Sequence, residues 1–168
     1  MCIRDSVDFY IQNNLGRALP TYRRGQSQSD FEAQWEKQDA SYAFVEGEHI
    51  SFLIPKEDRQ RISKMKQSQG SAFKNLDEMI DYYDDVISKY SQWAGLNEDP
   101  QSPNYNVEMK YFTMADKNGY GLAYWTWDHM GSNSASLHGY LQPGWLALHE
   151  VGHGYDGWMV GDLSLIHI

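Results

Sequence analysis

Residues 149–153 read His-Glu-Val-Gly-His, a spacing that makes chemical sense on a helix. Positions i and i+4 of a helix share a face, so His149 and His153 can direct both imidazoles at one metal ion. Glu150 then lies beside the open position of that metal, where hydrolysis needs a general base. Pro143 and Gly144 break the chain just upstream, and Trp145-Leu146-Ala147-Leu148 forms an apolar helical entry. Trp145 and Leu148, three residues apart, are expected to turn one side of this helix into a core. Gly152 lowers helix stability by about 1 kcal/mol relative to Ala. Its presence reads as room left for another backbone to approach.

The two ends read differently from the rest. Met1-Cys2-Ile3-Arg4-Asp5-Ser6 and Leu163-Ser164-Leu165-Ile166-His167-Ile168 can be back-translated into reverse complements of each other, over CTGTCTCTTATACACAT. That string resembles a transposase mosaic end used in sequencing libraries. Residues 1–6 and 163–168 are therefore expected to be adapter-derived, and the genuine chain to be Val7 to Asp162, a fragment of a longer protein. Cys2, the single cysteine, and His167 then cease to be candidate ligands. Neither a disulfide framework nor a thiolate zinc site is expected.

The formal net charge of −9 is unchanged when Arg4 and Asp5 are set aside, and an acidic chain argues against nucleic acid as a partner. No apolar run approaches the roughly 20 residues of a transmembrane helix. The length suits about one domain.

Residues 7–40 read as an upstream segment or linker, with an exposed stretch at Gly25-Gln26-Ser27-Gln28-Ser29. Asp30 is the expected cap of a short helix carrying Phe31 and Trp35. Ser41 to Ile54 predicts two strands around a turn at Glu46-Gly47-Glu48, with His49 at the surface. Asn75 to Tyr90 predicts a helix, because Leu76, Met79, Ile80, Tyr83, Val86, Ile87 and Tyr90 recur at three- and four-residue steps. Asn75 is its expected N-cap and Gly95 its terminator. Asp77, Glu78, Asp81, Asp84 and Asp85 lack the spacing and central glycine of a calcium loop, so they read as a solvated face. Val107 to Met114 predicts a strand, and the aromatic run from Gly119 to Trp127 another. Asp128 to Gly139 reads as a loop in which His129 and His138 are loop histidines rather than ligands.

From about Ser41 to Asp162 the chain resembles the enhancin-like zinc metallopeptidases, a gluzincin-type family that includes bacterial mucin-degrading proteases. Residues 40–50, Ala-Ser-Tyr-Ala-Phe-Val-Glu-Gly-Glu-His-Ile, are similar to the family's early strand pair, and Ile54-Pro55 follows it. The segment with Asp81-Tyr82-Tyr83-Asp84 and Ala94-Gly95-Leu96 resembles its long helix. Residues 145–155, Trp-Leu-Ala-Leu-His-Glu-Val-Gly-His-Gly-Tyr, resemble its active-site helix and are the specific part of the match.

The resemblance implies an α+β, zincin-like metallopeptidase domain over residues 41–162, incomplete at its C-terminal side. A small twisted sheet would pack against the long helix and the active-site helix, with the cleft between. Zn2+ would be held by His149, His153 and a carboxylate. The family takes that carboxylate from a glutamate further along the chain, and no Glu follows Glu150. Asp162 is a substitute within the chain, and the alternative is a ligand beyond it. Asp156 reads as a support for a ligand, or as solvent-facing. Glu150 would be the general base, and Tyr155 a candidate to stabilise the oxyanion. The implied substrates are extracellular glycoproteins, mucins among them, cleaved by a secreted or cell-surface bacterial enzyme. Tyr124, Trp125 and Trp127 would line the substrate site. The rival reading is a glycan-binding or adhesion module with a vestigial metal site, its rings stacking on sugars. An intact Glu150 speaks against that, since binding needs no base.

Overall fold

The computed structural model describes residues 18–70, 72–105, 110–116, 121–126 and 129–156. Its centre is a mixed six-stranded sheet: β1 (Thr21–Arg23), β2 (Tyr42–Glu46), β3 (Ile50–Pro55), β4 (Tyr111–Ala115), β5 (Ala123–Trp125) and β6 (Met130–Ser132). The spatial order is β1-β2-β3-β4-β6-β5. β2 and β3 form the expected antiparallel hairpin, with Val45 opposite Phe52. β1 joins β2 in parallel, β4 runs parallel to both β3 and β6, and β5 closes the order antiparallel to β6. With its helices this is the α+β architecture expected.

Among the described residues four α-helices accompany the sheet: α1 (Gln28–Gln38), α2 (Arg59–Lys64), α3 (Leu76–Trp93) and α4 (Trp145–His153). α3 follows the predicted periodicity. The Asn75 side chain caps it by accepting from the Glu78 N–H at 2.7 Å. Gly95, at φ 74°, ends it in the left-handed conformation that glycine adopts without steric penalty. Its buried stripe, Leu76, Met79, Ile80, Tyr83 and Ile87, faces the sheet, and Phe52 meets Tyr83 edge-to-face at 5.2 Å.

The acidic face of α3 differs from the solvated stripe expected. Asp84 accepts the backbone N–H groups of Glu48 and His49, so it pins the β2–β3 turn. Asp77 accepts from the Tyr22 hydroxyl at 2.8 Å and from the Gly25 N–H at 2.9 Å. Asp81 pairs with Arg24. These carboxylates bind the strand ends to the helix.

Residues 18–40 correct the linker reading. β1 adds to the sheet, and Tyr22, Phe31 and Trp35 are buried in the common core. The α1 cap is Ser27, whose hydroxyl accepts from the Asp30 N–H, and not Asp30 itself. The Gln28 amide donates to the Ile62 carbonyl and accepts from the Leu76 N–H, linking α1, α2 and α3.

β6 lies within the segment expected to be a loop. After it, Leu137, Tyr140 and Leu141 turn into the core on the way to α4. Asp58, fully buried, holds this segment down by accepting from the Ser136 hydroxyl and the Leu137 N–H, each at 2.6 Å. The proposed adapter hexapeptides, the strand start at Val107, Tyr120, Trp127 and Asp162 lie outside the described residues.

Candidate metal centre

α4 presents two faces of different chemistry. Ala147, Glu150 and Val151 are buried, and Trp145, His149 and His153 line a more open side. Trp145 corrects the expected packing. It is 67% exposed, and its indole stacks on the His149 ring, with centroids 4.5 Å apart and planes at 23°. The apolar anchors are instead Ala147 and Val151, four apart on the opposite face.

The Nε2 atoms of His149 and His153 approach to 3.1 Å. Zinc–nitrogen bonds of about 2.0–2.1 Å in tetrahedral geometry place two ligand nitrogens about 3.3 Å apart. The observed separation is close to that spacing. On its far side, His153 Nδ1 lies 2.8 Å from Asp156 Oδ2. With the carboxylate as acceptor, Nδ1 carries the ring proton and the Nε2 lone pair is left for a metal. No group of three His, Cys, Asp or Glu with metal-binding geometry occurs among the described residues.

Glu150 is 5% exposed. Burial raises its carboxyl above the ordinary glutamate range, and the neighbouring His153 opposes that shift. Tyr140, behind it, is fully buried and donates to the Gly131 carbonyl at 3.1 Å. Burial, together with the Glu150 charge, pushes its hydroxyl well above the ordinary tyrosine value.

Tyrosines fix the depth of α4. Tyr90 donates to the Leu148 carbonyl at 3.3 Å, and Tyr111 to the Val151 carbonyl at 3.1 Å. Tyr155 is stacked between them and donates to the Ile87 carbonyl of α3 at 3.0 Å. Its hydroxyl also contacts Ser91. Tyr155 is therefore a strut directed into α3, and it is not placed to stabilise an oxyanion as its sequence position suggested.

Gly152 is not the tight glycine. A β-carbon there would meet Tyr90 at 3.5 Å, whereas at Gly154 it would lie 2.0 Å from the Tyr111 hydroxyl.

Tyr124 does not serve as an open platform. Its ring covers Gly131, where a β-carbon would fall 2.1 Å away, and its hydroxyl donates to Asp116 and contacts His129. Trp125 is half-buried against the core. His129 also bonds Thr126, and His138 is exposed in its loop. The stacking of Trp145 on His149 was not anticipated, although its position four before His149 was a usable signal. Tyr90, Tyr111 and Tyr140 had no such local mark.

Several known proteins are similar to this chain in sequence or fold. Residues 16–163 match the family described as peptidase M60, enhancin and enhancin-like. The viral-enhancing factor of Trichoplusia ni granulosis virus is 25% identical over 144 residues, covering 82% of this chain and 15% of that protein. The viral-enhancing factor of Heliothis armigera granulosis virus is 25% identical over 145 residues, with 83% and 15% covered. This chain thus spans about 15% of the length of those relatives. The catalytic module of the metalloprotease ZmpA from Clostridium perfringens superposes with a TM-score of 0.63 at 18% identity, covering 82% of this chain and 29% of that one. A functionally unknown conserved protein from Bacillus anthracis gives 0.66 at 18% identity, with 86% and 30% covered. The fold matches part of a metalloprotease catalytic module, and the span matched by the family takes in β1 as well as the His-Glu-Val-Gly-His helix: the chain belongs to the peptidase M60, enhancin and enhancin-like family.

Proposed function

We propose that this chain contributes the catalytic helix of a zinc-dependent endopeptidase. The convergence of His149 Nε2 and His153 Nε2 at 3.1 Å, with a buried Glu150 beside them, carries this reading. A bound zinc ion would supply a Lewis acid for the scissile carbonyl and would acidify a water molecule. His149 and His153 would hold it through neutral imidazoles, and Asp156 would keep the His153 ring in the correct tautomer and orientation. Glu150 would accept the proton of the attacking water and return it to the leaving amine. Its partly desolvated carboxylate suits that exchange, because a raised pKa makes it a stronger base toward the attacking water. The third ligand would come from Asp162 or from further along the chain.

β5 ends the sheet order and lies against α4. Among the described residues β5 is an edge strand, and such an edge would offer backbone groups to an extended polypeptide, which favours peptide over small-molecule substrates. Extracellular glycoproteins, mucins included, are the substrates we infer from family membership, with a secreted or cell-surface enzyme as the corollary. No described helix is long and apolar enough to cross a membrane. The adhesion-module alternative loses support from Tyr124, whose ring and hydroxyl are committed to the fold.

The test is digestion of a mucin and of the same polypeptide stripped of glycans, each with and without a zinc chelator. Chelator-sensitive cleavage supports the peptidase, and preference for the glycosylated form supports the substrate class. Equal or faster cleavage of the bare chain indicates a general endopeptidase. No cleavage of either by the zinc-loaded full-length protein overturns the reading.

A further inference from the structure

His153 is oriented by Asp156 through its far nitrogen. The His149 ring also has an aromatic companion. Trp145, His149 and His153 are spaced four residues apart on one helix face, and their rings form a ladder. The indole lies near-parallel to the His149 ring at 4.5 Å, and that ring meets His153 edge-on at 4.6 Å and 77°. Trp145 is 67% exposed, so core packing does not explain its place. A large ring left in solvent and stacked on a histidine of the site limits the rotation of that histidine about its χ2 axis. χ2 decides where Nε2 points.

We propose that Trp145 is a positioning residue for His149: its indole face holds the imidazole in the rotamer that aims Nε2 at the metal. This rests on the zinc reading above. Partners that orient metal ligands typically contribute 10–100-fold to metal affinity. A stacking partner, unlike a hydrogen-bonding one, acts without fixing the tautomer, so its effect depends on a flat aromatic face. Phenylalanine retains such a face, and leucine retains only apolar volume.

The experiment measures zinc affinity in the full-length protein by competition with a chelating dye for wild type, Trp145→Leu, Trp145→Phe and His149→Ala, with a thermal melt of each in its zinc-free form. The expected result is zinc binding about tenfold weaker in Trp145→Leu and within about threefold of wild type in Trp145→Phe, by the same scale. The melting temperature of the zinc-free protein should be unchanged in both, as the exposure of the side chain requires. Wild-type affinity in Trp145→Leu overturns the proposal, and so does an equal loss in Leu and Phe variants. Unchanged zinc binding in His149→Ala shows instead that the metal-site reading itself is wrong.

Discussion

The Tyr111 hydroxyl occupies the space that a side chain on Gly154 would fill, with only 2.0 Å between it and an ideal β-carbon. Tyr111 cannot easily retreat, because it is 6% exposed, bonded to the Val151 carbonyl and stacked on Tyr155. Gly154→Ala should therefore destabilise the domain by about 1–3 kcal/mol through overpacking. Gly152→Ala meets only ordinary contacts and gains helix propensity, so it should be neutral or stabilising by up to about 1 kcal/mol. Urea unfolding of the two variants checks this, and the reverse order of stabilities would refute the packing assignment.

Glu150→Gln should leave zinc in place and remove peptidase activity. Glutamine keeps the shape of the side chain and cannot accept the proton of the attacking water. The loss should be on the order of 10²–10⁴-fold in kcat. Near-normal turnover by the zinc-loaded variant would assign the base to another residue.

Asp156→Asn removes the charge that faces His153 Nδ1 at 2.8 Å. Zinc affinity should fall by about 10–100-fold, with little change in melting temperature because the Asp156 side chain is 42% exposed. Unaltered affinity would make Asp156 a surface residue with no part in the metal centre.

Asp58→Ala strands the Leu137 N–H and the Ser136 hydroxyl under the segment that leads into α4. The expected destabilisation is about 3 kcal/mol, and Asp58→Asn, which can still accept from one donor, should lose roughly half of that. Equilibrium denaturation decides, and a change below about 0.5 kcal/mol would mean that the segment is held by its apolar contacts alone.

Glu46 joins Lys110 to Arg23. The hydrogen bond from Lys110 leads in holding its carboxyl below the ordinary glutamate range, against the opposing effect of desolvation. A depressed folded-state pKa contributes stability above the unfolded value and loses it as pH falls through the folded one. Glu46→Gln should thus lower stability at pH 7 by less than about 1 kcal/mol, given the solvent exposure of the pair. The gap to wild type should close below about pH 4. Melts across that range test the sign, and a gap that widens in acid would contradict it.

The His149–His153 spacing with Glu150, the β2–β3 hairpin and α3 were legible in the chain. Each is a local pattern: imidazoles at i and i+4, a turn at Glu46-Gly47-Glu48, an apolar stripe between Asn75 and Gly95. Such patterns depend on backbone geometry over a few residues, which the order of side chains dictates directly. Other features needed the tertiary structure. β6 is three residues long and exists because β4 and β5 flank it. β1 and α1 belong to the domain because Tyr22, Phe31 and Trp35 find a common core. Local spacing shows which residues of α4 share a face, but not which face is buried. Trp145 is exposed and Tyr155 points at α3 because Tyr90, Tyr111 and the sheet approach the helix from the other side. Those partners lie tens of residues away in sequence, and their contact energies enter only once the chain has closed on itself.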